Sequence, residues 1–289
     1  MTENQPLKDK VALITSSSPG TCADIARQLA GAGAKVVVCG RNANRGLATV
    51  RQIRKDGGRA TFVLADIAVI ADVRAMIDEA IATYGRLDIL INNVSNSYAQ
   101  DALMPDVSES VWDRIIEPLL KGTFFCCQLS IPFLQQCEGG TIINLIERAP
   151  ELQGRSVSKI CQGGVVAMTS AITQQFITSN VTANLIWATP AGLTSPEDSS
   201  KAIPEAAPDS DDTSLNLLVN TVMTSPAESD RPFTTISEAV MYLTQHGHTL
   251  QGAALRVYVS ESVSESPASK SEPRPDSGSE AGSSSSTRS

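Results

Sequence analysis

The amino-acid sequence predicts a three-layer α/β/α domain around a doubly wound parallel sheet of about seven strands. The first observation is that short apolar runs, each interpreted as a buried strand, alternate with stretches of helical periodicity along most of the chain. The second is that the chain has 289 residues, of which 42% are hydrophobic, enough for one domain with a sizeable core. Alternation of this kind is typical of a parallel α/β sheet with helices on both faces.

Each of the first three strands is followed by an amphipathic helix. The run at 10–15 precedes helical spacing through Ile25, Ala26 and Leu29, and the helix after the second strand ends at Gly57. The predicted strands are 10–15, 36–39, 61–64, 89–91, 141–145, 182–187 and 254–259. Later predicted helices cover 111–134, 155–178 and 236–243.

Two stretches break this alternation. Residues 190–234 are rich in Ser, Pro, Asp and Thr and are interpreted as a long loop inserted in the domain. A loop that follows the carboxyl end of a parallel strand usually covers the ligand, so this one is predicted to border the substrate, with a decorative acidic insertion as the alternative. Residues 260–289 contain no aromatic residue and are predicted to form a disordered, Ser-rich tail after a domain that spans 1–259.

Composition argues against several classes of partner. The formal net charge of −8 disfavours nucleic acid and anionic membrane surfaces. No apolar run approaches the length of a membrane span, and the N-terminus lacks a signal peptide's apolar core, so a soluble, cytoplasmic protein is expected.

The six cysteines form no C-x-x-C pair and are predicted to be reduced and mostly buried. The His246-Gly247-His248 run has no third ligand nearby in sequence, so it is interpreted as a helix end and no metal is expected.

Several residue runs resemble the short-chain dehydrogenase/reductase superfamily, which has a Rossmann-type fold. Asp66 follows the third strand as the family's adenine-contacting aspartate does, and the run at 87–93 is similar to the fourth-strand motif. Further runs that carry the resemblance are 10–15, 112–114, 120–125 and 140–144. The resemblance spans about 7–259 and implies a dinucleotide-binding oxidoreductase scaffold. It also implies pairing through the fourth and fifth long helices, so a homodimer or homotetramer is expected.

The glycine-rich turn departs from the family pattern. The family's T-G-x-x-x-G-x-G reads here as Thr15-Ser16-Ser17-Ser18-Pro19-Gly20-Thr21-Cys22, and of the three glycines only Gly20 remains. Ser16 and Cys22 are expected to place side chains where the pyrophosphate should lie. Because the following helix N-terminus can still hold an anion, cofactor binding is expected to be weakened or reshaped.

The adenosine side keeps more of the family pattern. Arg41 follows the second strand where NADP-preferring relatives hold the 2′-phosphate, and no acidic residue closes that strand. If a dinucleotide binds, NADP(H) is therefore favoured, with a solvated loop arginine as the alternative. The residues that the resemblance places against the cofactor are Thr15, Ser17, Gly20, Arg41, Asp66, Asn92 and Lys159.

Three members of the family's Asn-Ser-Tyr-Lys tetrad are replaced. Leu119 stands at the asparagine position, Glu147 lies near the serine position, and Arg155 occupies the tyrosine position. Lys159 remains one helical turn after the tyrosine position. Arginine has no acceptor and stays protonated near pH 7, so it cannot act as the general acid. Loss of a proton or oxyanion donor typically costs about a hundred- to ten-thousand-fold in rate, so ordinary carbonyl reduction is not expected.

The altered cleft contains new candidates for chemistry. Glu147, Arg155 and Lys159 would put a carboxylate beside two cations, which could move a proton or hold a polarised substrate. A salt bridge that fills an inactive site is the alternative for Arg155. Trp187 ends the sixth strand and could stack on a flat substrate or pack in the core. Two polar residues after the fourth strand would border the same cleft: Tyr98 and Asp101.

Three hypotheses of function follow. The first is a non-redox cyclase, isomerase or pericyclase that acts on a hydrophobic intermediate by holding a reactive conformer. It rests on a fold-level resemblance to fungal natural-product tailoring proteins that have lost the tetrad, including ones that promote Diels–Alder cyclisation. The second is an NADPH-dependent reductase of a carbonyl or iminium by a non-standard mechanism. The third is a catalytically silent binding protein.

Overall fold

The sheet contains seven strands in the order β3-β2-β1-β4-β5-β6-β7, and every neighbouring pair is parallel. The structure, a computed structural model, describes residues 5–15, 20–95, 101–147, 156–176, 178–190, 233, 235–246 and 254–259. The strands are β1 Val11–Thr15, β2 Lys35–Gly40, β3 Arg59–Leu64, β4 Ile89–Ser95, β5 Gly140–Glu147, β6 Val181–Pro190 and β7 Ala254–Val259. The predicted doubly wound, seven-stranded sheet is thus confirmed.

Helices cover both faces of this sheet. They are α1 Thr21–Gly31, α2 Ala43–Lys55, α3 Ile70–Tyr84, α4 Glu109–Ile116, α5 Thr123–Leu134, α6 Ser156–Gln175 and α7 Ile236–His246. The buried faces of α1, α2 and α7 pack in one apolar cluster, and those of α3, α5 and part of α6 in another. Strand β1 contributes to both clusters, because Ala12 and Ile14 face the first and Val11 and Leu13 face the second.

The helix predicted over 111–134 is longer and is interrupted. It begins at Glu109, and a π-helical segment, Glu117–Gly122, separates α4 from α5. Pro118 lies in this segment, and its missing N–H prevents the regular hydrogen-bond ladder there. A Cβ at Gly122 would lie 2.5 Å from the carbonyl oxygen of Ile67, so glycine lets the segment approach the loop after β3.

A buried carboxylate ties the amino-terminal edge of the sheet together. Asp88 Oδ2 accepts hydrogen bonds from the Val11 backbone N–H at 2.9 Å and from Arg86 Nε at 2.8 Å. The Lys10 ammonium lies 3.2 Å from Asp88 Oδ1. Burial acts to raise the pKa of Asp88, but the hydrogen bonds from Arg86 and Val11 and the charge of Lys10 outweigh it and lower the pKa.

All six cysteines are buried thiols that take part in no disulfide bond, as predicted. Burial, and to a lesser degree the neighbouring Cys127 and Cys39, raises the pKa of Cys126 well above its ordinary range.

In the described part of the chain, no helix is long and apolar enough to cross a membrane. The predicted loop at 190–234, apart from Pro190 and Phe233, and the predicted tail at 260–289 lie outside the described residues.

Candidate functional site

The carboxyl ends of the central strands bring several predicted site residues to one edge of the sheet. The strand register aligns Thr15 with Asn92 across β1 and β4. It also places Glu147, the last residue of β5, opposite Ser95 of β4 and Ala188 of β6. The backbone of Glu147 therefore lies at this edge, while its side chain, and all of Arg155, lie outside the described residues.

Thr15 and Asn92 belong to a chain of buried polar side chains. Thr15 Oγ1 donates to Asn92 Oδ1 at 3.4 Å. Asn92 Nδ2 donates to Asn144 Oδ1 at 2.9 Å and to Cys127 Sγ at 3.3 Å. Asn144 Nδ2 in turn donates to Thr169 Oγ1 of α6 at 2.8 Å. The amide of Asn92 is thus engaged inside the protein with β1, β5 and α5, and Asn144 extends the hydrogen-bonded chain to α6. Burial, only partly offset by the Asn92 hydrogen bond, raises the pKa of Cys127 to about 12.

The expectation that Cys22 obstructs the pyrophosphate position is wrong. Cys22 lies in the first turn of α1 on the face that packs against the sheet, three and four residues before Ile25 and Ala26, and is 1% exposed. Its Sγ accepts a hydrogen bond from Asn93 Nδ2 at 2.9 Å. The helical position directs the thiol inward because residues spaced by three or four share one helix face. Of the remaining turn, residues 16–19, which include Ser16 and Ser17, lie outside the described residues.

Gly20 leads directly into α1. Its φ is 95°, in the left-handed region that favours glycine. Its carbonyl accepts from the Asp24 N–H at 3.0 Å, the first bond of the helix. The glycine that the sequence retains is therefore the one that the backbone requires at the beginning of α1.

Arg41 and Asp66 lie together at the opposite end of this edge. Arg41 Nη1 is 3.8 Å from Asp66 Oδ2, and both side chains are accessible. Asp66 Oδ1 also accepts from the Ala68 N–H at 3.0 Å, and the Asp66 N–H donates to Asp72 Oδ2 at 3.0 Å. The aspartate is thus oriented by the beginning of the α3 region, and among the described residues the arginine makes one long ion pair.

Apolar side chains surround the position where the family has its catalytic asparagine. Leu119 is 4% exposed and packs in a cluster that also contains Val94, Ile146 and Val157. Trp187 belongs to the same cluster and is 7% exposed. Of the two roles considered for Trp187, packing in the core is the one that its surroundings favour.

The first turn of α6, which carries Lys159, is held by the segment after β4. Asp101 accepts from the Ser158 N–H at 2.8 Å and from the Val157 N–H at 3.3 Å. Burial, and secondly the Asp101 carboxylate, raises the pKa of Cys161 to about 12. Sequence reasoning placed Asp101 at the cleft but missed this contact. The signal available was that no acceptor side chain stands directly before α6.

No group of three or more His, Cys, Asp or Glu side chains in the described residues could hold a metal ion. His246 Nδ1 lies 3.1 Å from the Tyr242 carbonyl oxygen, and the two rings stack with centroids 4.7 Å apart. This residue ends α7, which agrees with its interpretation as part of a helix end.

Known proteins share both the sequence pattern and this architecture. The family described as short chain dehydrogenase matches residues 10–202, which is more than half of the chain. The chain belongs to the short-chain dehydrogenase/reductase family. Members of this family are typically oxidoreductases that bind NAD(P)(H).

Individual family members are similar at moderate identity. A 3beta-hydroxysteroid dehydrogenase of Mediterraneibacter gnavus is 30% identical over 193 residues, covering 65% of this chain and 67% of the relative. The 3-oxoacyl-acyl-carrier-protein reductase FabG of Staphylococcus aureus is 31% identical over 180 residues, covering 61% and 72%.

Solved structures of the short-chain dehydrogenase/reductase family share the fold. A dehydrogenase/reductase from Sinorhizobium meliloti 1021 superposes with a TM-score of 0.66 at 23% identity, covering 88% of this chain and 96% of that one. A short chain dehydrogenase from Mycobacterium smegmatis superposes with a TM-score of 0.65 at 21% identity, covering 88% and 93%.

Proposed function

We propose that this member of the short-chain dehydrogenase/reductase family catalyses a non-redox cyclisation, isomerisation or pericyclic reaction of a hydrophobic natural-product intermediate. The observation that carries the proposal is the environment of Leu119. This residue stands where the family resemblance places the catalytic asparagine, and it is buried among Val94, Ile146, Val157 and Trp187. The four side chains around Leu119 include no acid that could transfer a proton to a substrate oxygen, and only the Trp187 indole N–H among them can donate a hydrogen bond.

The charged residues that the family resemblance assigns to the cleft favour a binding and orienting role. In the proposed mechanism, Glu147, Arg155 and Lys159 hold a polarised substrate, and the apolar cluster around Leu119 favours a compact conformer. Holding two reacting carbons in a near-attack geometry can supply roughly 7–11 kcal/mol of the barrier in well-oriented intramolecular reactions. Such catalysis needs neither a hydride nor a tyrosine proton donor.

A second candidate function is NADPH-dependent reduction of an iminium carbon. The observation that favours it is the Arg41–Asp66 pair, which offers a cation for a 2′-phosphate and a carboxylate beside the adenine position. These residues fit the adenosine half of the dinucleotide. The dinucleotide would supply the hydride when bound. An iminium accepts a hydride without a proton donor, so the residue at position 155 would matter less. A catalytically silent binding protein is the remaining alternative.

Calorimetric titration with NADPH and NADP⁺ distinguishes these functions. The first proposal predicts weak or absent dinucleotide binding and substrate turnover with no cofactor added. Tight NADPH binding together with substrate-dependent loss of NADPH absorbance would instead establish the reductase. Absence of turnover under both conditions, across a panel of hydrophobic polyenes and iminium compounds, would support the binding protein.

Glu147→Gln and Arg155→Ala test the residues assigned to the cleft. Each should lower cofactor-independent turnover by about a hundredfold, because each removes a charge that orients or polarises the substrate. Asp78→Asn, which alters an exposed carboxylate on α3, is the matched control and should retain parental turnover. If both cleft variants turn over at the parental rate, the site assignment is wrong.

We also propose that the chain forms a homodimer or homotetramer through the helices α4, α5 and α6. Three large apolar side chains are partly exposed on these helices, namely Trp112, Phe124 and Ile160. Their exposure supports pairing through the surface that relatives of this fold use. Sedimentation equilibrium that returned the mass of one chain at micromolar concentration would exclude it.

A further inference from the structure

We infer that Asp101 is a positioning residue that holds the first turn of α6 and thereby places Lys159 in the cleft. The inference rests on the proposed function in one respect, namely that Lys159 is one of the groups that contact substrate. The sequence directly before α6 lacks a side chain that could accept hydrogen bonds from the helix N-terminus. The first backbone N–H groups of a helix need external acceptors, and the residue before Ser156 is Arg155, whose side chain carries only donors.

The electrostatics of this helix terminus add to the deficit. No acidic residue lies in the first turn of α6, while Lys159 adds a positive charge there. Basic groups at a helix N-terminus are unfavourable because the exposed N–H groups already carry partial positive charge. A carboxylate supplied from elsewhere in the chain would correct both the missing acceptor and the missing negative charge.

Asp101 and Ala102 supply the missing hydrogen-bond acceptors. The two Asp101 carboxylate oxygens accept from Ser158 at 2.8 Å and Val157 at 3.3 Å, residues 57 and 56 positions later. The Ala102 carbonyl accepts from the Ser156 N–H at 3.2 Å. Three successive helix donors are therefore bound by two adjacent residues.

The burial of Asp101 strengthens its hydrogen bonds to α6, and no other side chain described in this turn shares its role. Asp101 is 9% exposed, and a shielded carboxylate that accepts from backbone N–H groups forms strong, charge-assisted hydrogen bonds. Ser158 Oγ is buried and has no hydrogen-bond partner within the described residues, so it does not share the capping role. The bond to the Ser158 N–H holds the backbone directly before Lys159, whose side-chain direction is set by that turn.

Asp101→Asn is the principal test, because it preserves volume but turns an amide nitrogen toward one of the two backbone N–H donors. Asp101→Ala is the stronger variant. Asn42→Ala is the matched control, since Asn42 Oδ1 caps α2 by accepting from the Arg45 N–H at 3.1 Å, away from α6. Two quantities are measured on the full chain: deuterium uptake of residues 156–160, and the rate of acetic anhydride acylation of Lys159 relative to Lys8, which is exposed and lies outside α2.

Asp101→Asn is expected to raise both quantities by about fivefold, and Asp101→Ala by more, because loss of a helix cap opens the first turn. Asn42→Ala should lower the melting temperature without changing either quantity at α6. A general loss of stability in the Asp101 variants, with uptake at 156–160 and relative Lys159 acylation unchanged, would overturn the inference. Neither readout uses substrate or cofactor, so this result and that of the proposed function can fail independently.

Discussion

At the scale of single residues, the direction of the Cys22 thiol determines whether this residue affects the cofactor position or the packing of the core. Cys22 replaces a glycine of the family's phosphate turn, yet its thiol faces the sheet and accepts from Asn93. The Oδ1 atom of Asn93 is buried and lacks a hydrogen-bond partner in the described part of the chain. The Cys22 thiol therefore contributes to the packing of α1 against the sheet, and its role is structural.

Restoring the family glycine by Cys22→Gly should weaken the fold without restoring the cofactor. The expected loss is about 2 kcal/mol of unfolding free energy, from lower helix propensity and from the space left by the thiol. NADPH affinity should not rise. Urea unfolding and calorimetric titration measure the two effects, with Cys22→Ala, which keeps helix propensity, as the control. Tighter NADPH binding by the glycine variant would show that the thiol does obstruct the cofactor.

At the scale of elements, the interrupted helix α4–α5 and the helix α6 shape the cleft together. The π-helical segment turns Leu119 toward Val157 and Cys161 of α6 in one apolar cluster. Its last residue, Gly122, lies against the backbone of Ile67. The position of Leu119 thus depends on a close contact between two elements that are distant in sequence.

Gly122→Ala tests that contact. The new methyl group would lie 2.5 Å from the Ile67 carbonyl oxygen, so the segment must move, and we expect a loss of about 1–3 kcal/mol. Gly31→Ala, at the end of α1, meets no atom within 4 Å and should be neutral or stabilising by about 0.5 kcal/mol. Chemical unfolding compares the two. Equal effects would mean that helix propensity, not the contact, decides the result.

The elements were predictable to the extent that local pattern determines them. The apolar runs predicted seven strands, and the structure extends several of them by one to four residues at an end. The π-helical segment was missed because Pro118 interrupts hydrogen bonds without interrupting the apolar spacing. The inward direction of Cys22 and the cap from Asp101 were also missed. Both depend on which residues from distant parts of the chain meet, and periodicity within one segment contains no such information.

At the scale of the whole molecule, Asp88 links the chain's first strand to the sheet centre. Its pKa is lowered in the folded protein, because the bonds from Arg86 and Val11 and the Lys10 charge outweigh burial. A carboxylate whose folded pKa lies below its unfolded value of about 3.9 stabilises the fold above that value. The contribution is lost as the pH falls through the folded pKa.

The melting temperature should therefore fall, in part through Asp88, as the pH drops below about 4 and through the lowered folded pKa of this carboxyl group. Asp88→Asn should lower the melting temperature at pH 7 and make it less dependent on pH in the acid range. Calorimetric scans at several pH values measure this, with the exposed Asp78→Asn as the control. An Asp88→Asn variant with the parental acid dependence would show that other carboxylates cause the acid transition.

The buried chain from Thr15 through Asn92 and Asn144 to Thr169 has a consequence for how such a domain can change over evolutionary time. Removing one member leaves its neighbour's amide or hydroxyl without a partner, at a cost of roughly 1–3 kcal/mol. Single mutations there are therefore penalised whatever reaction the domain carries out. Leu119, at the cleft, lies outside this hydrogen-bonded chain and contacts the strands through apolar packing alone. A lineage can thus exchange its reaction chemistry by single steps while the amide chain keeps the strand register unchanged.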